Sequence, residues 1–170
     1  MNQDNTKKVE DIMQNNSLIY DTHDITFVEI PKEISLSFTI MGCQNNCIGC
    51  HSPHLRSLTG KIFNEDIDKL LNTYGNYITT ILLLGEGHDK NILIKTLEML
   101  KQTNFKIALY SGRDDVSLNL VKYLDYYKVG SYQFGHGGLD SPTTNQRLYK
   151  IENGNMRNIT SLFWEAQPLK

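Results

Sequence analysis

Thr79-Thr80-Ile81-Leu82-Leu83-Leu84 is the stretch on which the fold turns. The run is apolar without polar alternation, which suggests a strand buried on both faces, as in a parallel sheet. A helix signal stands on each side of it. Asn64 is placed to cap Glu65-Asp66-Ile67-Asp68-Lys69-Leu70-Leu71, with acids in the first turn and Gly75 as terminator. Asp89 is placed to cap a second helix running to about Gln102, with Ile92, Leu93, Leu97 and Leu100 on one stripe. Farther out, Ile34–Ile40 alternates strictly and reads as a strand, and Phe105–Tyr110 reads as another. Val116–Leu124 is helical by pattern, and Tyr127–Gly130 is a short strand. Thr26–Ile30 reads as the first strand, stopped by Pro31. Gln146–Ile151 and Asn158–Phe163 add terminal elements.

Strand, loop, helix, strand in this order predicts an α/β fold with right-handed crossovers. A closed eight-strand barrel needs more chain than 170 residues, so the expectation is a partial, open parallel β/α barrel. Residues 1–24 are polar and irregular and read as a lead-in. Residues 25–170 form the one domain.

Composition narrows the function classes. Seventeen basic against nineteen acidic residues leave a net charge of −2, which argues against an electrostatic nucleic-acid binder. Apolar residues at 39% argue against disorder. No apolar run approaches ~20 residues, so no membrane span is expected. The N-terminal residues show no signal peptide, and a cytoplasmic location is expected.

In such sheets the site lies beyond the carboxyl ends of the strands. Three unusual loops fall there: Met41–Arg56, Gly85-Glu86-Gly87-His88 and Ser111-Gly112-Arg113-Asp114. The first holds all three cysteines of the chain, Cys43, Cys47 and Cys50. An odd count in one short loop speaks against a disulfide framework and for a shared soft metal. Two readings of the trio stand. One is a four-iron cluster with one iron left without a protein ligand. The other is a zinc ion completed by His51 or His54, which makes the chain a zinc-stabilised interaction module. The 131–147 loop is long, polar and rich in glycine, a type that is often functional.

Cys43-Gln44-Asn45-Asn46-Cys47-Ile48-Gly49-Cys50, directly after a strand, resembles the cluster motif of the radical S-adenosylmethionine superfamily. Leu84-Gly85-Glu86 resembles that superfamily's glycine-glycine-glutamate element, with Leu84 where the first glycine usually stands. Gly49-Cys50-His51-Ser52-Pro53 and Gly138–Arg147, which contains Asn145-Gln146-Arg147, are similar to the activating proteins of anaerobic ribonucleoside-triphosphate reductase. The resemblance spans about residues 20–165.

It implies that Cys43, Cys47 and Cys50 hold three irons of a 4Fe-4S cluster. It also implies that S-adenosylmethionine occupies the fourth iron and is reductively cleaved, and that a glycine of the reductase large subunit receives the radical. Gly85 and Glu86 would meet the methionyl amino group, Ser111 the ribose, and Gly49, Cys50 and His51 would lie near the adenine. A flavodoxin or ferredoxin type reductant is implied as a second partner. Within the same superfamily, a small-molecule substrate, as in modified-base synthesis, is the alternative.

Overall fold

The computed structural model of the chain describes residues 16–165. Among the described residues, eight strands form one mixed sheet that does not close into a barrel. They are β1 (Ile19–Thr26), β2 (Ser35–Ile40), β3 (Lys61–Ile62), β4 (Thr80–Leu84), β5 (Lys106–Tyr110), β6 (Tyr126–Val129), β7 (Arg147–Glu152) and β8 (Asn155–Asn158). The spatial order is β3-β1-β2-β4-β5-β6-β7-β8. Only β2, β4, β5 and β6 run parallel, and antiparallel pairs flank them on both sides.

The parallel centre follows from the apolar run. Thr80 to Leu84 pairs with Ser35 to Thr39 on one side and with Lys106 to Tyr110 on the other. Ile81, Leu82 and Leu83 are wholly buried. Each such side chain is worth roughly 1.5–3 kcal/mol in burial.

Three helices share one face. Ile67 and Leu70 of α1 (Phe63–Tyr74), Leu93 and Leu97 of α2 (Lys90–Leu100), and Leu120 of α3 (Leu118–Val121) pack with alternate strand residues Phe38, Leu83, Leu109 and Tyr127. Parallel strands added in one direction by crossovers of one hand place the helices so. The opposite face is closed by the chain's own connections. Ile30, Leu139 and Ile159, with Leu162 and Phe163 of α4 (Leu162–Glu165), pack on Leu82, Ala108 and Tyr126.

Several expectations need correction. The first strand is Ile19–Thr26, not Thr26–Ile30; Phe27 and Val28 are 65% and 76% exposed. The boundary drawn after residue 24 therefore falls inside β1, while residues 1–15 lie outside the described part. Asn64 does not cap α1. It sits in the first turn, and its N–H donates to the buried Ser17 Oγ at 3.1 Å. Asp89 caps α2 as expected, accepting from the N–H groups of Asn91 at 2.7 Å and Ile92 at 3.1 Å. The third helix is a single turn rather than Val116–Leu124.

Candidate functional site

The cysteines lie in the irregular segment between β2 and β3, which leaves the carboxyl end of β2. Backbone bonds close its base: Gly42 N–H donates to Leu55 O at 2.7 Å and Cys43 N–H to the same oxygen at 2.9 Å. Gly42 has φ +84°, and a Cβ there would meet His88 Cβ and Leu58 Cδ2, each at 2.8 Å. Only glycine turns the chain in this space. Gln44 Nε2 donates to His88 O at 2.7 Å, tying the segment to the loop after β4. Within it, Cys50 N–H donates to Cys47 O at 3.3 Å.

Cys43, Cys47 and Cys50 are half-buried free thiols. They share one loop, but among the described residues no three Cys, His, Asp or Glu side chains converge as a metal-ready set. The donors themselves fit an iron–sulfur group: three soft, unpaired thiols on one loop, with a cleft of about 690 Å³ beside Cys47. Asn45, Ile48, Arg113, Tyr132 and Phe134 also line that cleft. His54 points elsewhere, its Nε2 3.8 Å from Asp21 Oδ2 on β1.

Gly85, Glu86 and Ser111 come to the same edge. Cys43, Gly85, Glu86 and Arg113 line a small cavity of about 40 Å³. Both oxygens of Glu86 are engaged: Ser111 Oγ donates to Oε1 at 2.6 Å, and Arg113 Nε to Oε2 at 2.7 Å. This pairing, with burial opposing it, raises the Arg113 guanidinium above its ordinary pKa. Ser111 is fully buried and also accepts from Arg113 N–H at 3.0 Å. Gly49 and His51 stand apart from this cluster. The His51 ring lies 4.4 Å from that of Tyr132, and a Cβ at Gly49 would stand 3.8 Å from the Tyr132 ring. The 131–147 loop thus reaches the cysteine loop through Tyr132.

The sequence alone assigned no role to Lys128, and none to Arg113 beyond its place in the loop after β5. Arg113 reaches Glu86 across 27 positions of chain. Lys128 is buried on β6 at the same edge, and its sequence neighbours, Tyr127 and Val129, mark only a strand. A larger groove of about 910 Å³ opens on the opposite face of the sheet, between residues 27–32 and α4, lined by no cysteine. No family model, curated protein or solved structure matches the chain.

Proposed function

We propose that the chain is a radical S-adenosylmethionine enzyme. The observation that carries this reading is a meeting of three strand ends. A loop with three cysteines leaves the end of β2, and Glu86 and Ser111 stand hydrogen-bonded at the ends of β4 and β5. The parallel strands β2, β4, β5 and β6 are then an open segment of a β/α barrel of that superfamily's type. Within the class, Gly49–Pro53 and Gly138–Arg147 favour an activating protein of anaerobic ribonucleoside-triphosphate reductase. Its partners would be that reductase's large subunit and a flavodoxin or ferredoxin type donor, and its location the cytoplasm. No helix among the described residues is long and apolar enough to cross a membrane.

Cys43, Cys47 and Cys50 would hold three irons of a 4Fe-4S cluster. When bound, the cluster and S-adenosylmethionine supply the reductive cleavage whose radical passes to a glycine of the partner. The chain's own part is positioning. Ser111 orients the Glu86 carboxylate from behind through Oε1. Arg113, with its side chain 57% exposed, can leave Oε2 for water at small cost, freeing that oxygen for the methionyl ammonium. Gly85 keeps the backbone open beside it. Tyr132 and His51 offer flat surfaces for an adenine.

The test is turnover in the absence of oxygen. The reduced protein should cleave S-adenosylmethionine, Cys47→Ala should abolish cleavage, and mixing with the large subunit should give a glycyl-radical resonance. Cleavage without that resonance on the cognate subunit would move the assignment to a small-molecule substrate. A protein that cleaves nothing would overturn the class.

A further inference from the structure

We infer that the groove on the sheet face opposite α1, α2 and α3 is a binding site for a small organic ammonium with an apolar body. The inference goes beyond the cluster reading and does not need it, since no cysteine lines the groove. The volume, about 910 Å³, falls within the ~300–1,000 Å³ common for small-molecule sites. The walls are held in place by the fold itself. Ile30 is wholly buried in one cluster with Leu82 and Ala108 and pins the 27–32 segment to the sheet. Tyr110, at the end of β5, donates from Oη to Glu29 O. Trp164 Nε1 donates to Leu139 O at 2.9 Å, fastening α4 to the loop that carries Asp140.

The lining sets the charge of the ligand. Phe27, Tyr110 and Phe163 give the groove aromatic walls. Ring faces are electron-rich, so they attract a cation and disfavour an anion. Two carboxylates, Glu29 and Asp140, line the same groove against one ammonium, Lys32. Among the described residues none of these three is in an ion pair. Lys32 is exposed, and water screens it. Glu29 is half-buried, and the bond from Tyr110 goes to its main-chain oxygen, not to its carboxylate. Burial raises that carboxyl above its ordinary pKa, and no cation opposes the shift. Glu33, four residues along the same connection, is buried too, but Lys106, Thr79 and Tyr126 all donate to its carboxylate. The folded chain thus completes Glu33 and leaves Glu29 without a donor. A partly desolvated acid among aromatic walls is best met by an ammonium supplied from outside. The ligand's apolar body would in turn cover Phe27, which is 65% exposed without it.

The experiment is a calorimetric titration of the full chain at pH 7 with three probes of one chain length: octylamine, octan-1-ol and octanoate. Octylamine should bind roughly tenfold or more tightly than octanoate, with octan-1-ol between them. Glu29→Gln should weaken octylamine about fivefold or more and leave octan-1-ol within about twofold. Asp140→Asn, at an exposed position, should weaken octylamine in the same direction; it carries the test if Glu29→Gln does not fold. Equal binding of the three probes, or a reversed order, would overturn the inference. So would octylamine binding unchanged in Glu29→Gln, or in Asp140→Asn where that variant carries the test, and so would no octylamine binding below the concentration at which it forms micelles. Tighter binding of the capped peptide leucyl-lysyl-leucine than of octylamine would also overturn it, by making the groove a seat for a partner polypeptide. Iron and S-adenosylmethionine enter none of these measurements. Failure here therefore leaves the cluster reading intact, and failure of the cluster reading leaves this inference standing.

Discussion

Ser111 Oγ donates a 2.6 Å hydrogen bond to Glu86 Oε1, joining the ends of β4 and β5 through side chains. Gly85 N–H to Tyr110 O at 3.0 Å joins them through the backbone as well. Ser111→Ala removes the first link, and a partly buried carboxylate oxygen loses its donor at a cost of roughly 1–3 kcal/mol. The expected result is a tenfold or greater loss of S-adenosylmethionine affinity, measured by anaerobic calorimetry. Glu86→Ala should lose more, and Arg113→Ala less, because Arg113 contributes to the resting carboxylate only.

Each cysteine substitution separates metal from fold. Cys43, Cys47 and Cys50 belong to none of the three apolar cores and form no disulfide. Cys→Ser at any of them should abolish iron retention. The metal-free protein should keep its denaturation midpoint, with a change within about 0.5 kcal/mol. A large loss of apoprotein stability would show that the loop carries the fold.

Gly42→Ala tests the base of that loop. The substitution puts an L side chain at φ +84° against His88 and Leu58. Strain at such a position costs on the order of 1–3 kcal/mol. Lower iron occupancy, accompanied by a lower melting temperature, is expected; unchanged values of both would contradict the local geometry.

At the opposite, amino-terminal edge of the sheet, Glu33 is 6% exposed and accepts from Lys106 Nζ at 2.5 Å, Thr79 Oγ1 at 2.6 Å and Tyr126 Oη at 2.6 Å. Burial disfavours its charge, but the bonds from Lys106, Thr79 and Tyr126 outweigh burial and hold the carboxyl below its ordinary pKa. A lowered native pKa means the unfolded chain binds the proton more readily. The stabilisation is complete above the ordinary carboxylate range, roughly pH 4–5, and is lost as pH falls through the lowered native value. Glu33→Gln should cost about 1–2 kcal/mol at pH 7, a modest figure because Lys106 is half exposed to screening water. Urea titrations should show parent and variant converging as pH drops below about 4. A gap independent of pH would contradict the assignment.

The sequence made the centre of the sheet legible because its signals are local. Leu82 and Leu83 announce a doubly covered strand, and Asp89 caps the helix that begins one residue later. What was missed depends on residues far apart in the chain. Ser17 serves the first turn of α1 from 47 positions upstream, where Asn64 looked like the cap. β1 reads as polar because its burial alternates beyond Tyr20, and the more apolar Phe27-Val28 beside it faces solvent. The closing antiparallel pair β7–β8 has too little apolar contrast to declare its direction. At the site, the cysteines and Glu86 stood out by type. Arg113 and Lys128 did not, since a charge on a strand end gains meaning only once its neighbours are known.

The most direct test of the account is the iron and acid-labile sulfide content of protein purified without oxygen, read together with its paramagnetic resonance. The account predicts about four irons and four sulfides per chain, a signal on reduction that changes when S-adenosylmethionine is added, and loss of all three in Cys47→Ser. One tightly held zinc ion, with neither iron nor sulfide, would contradict it.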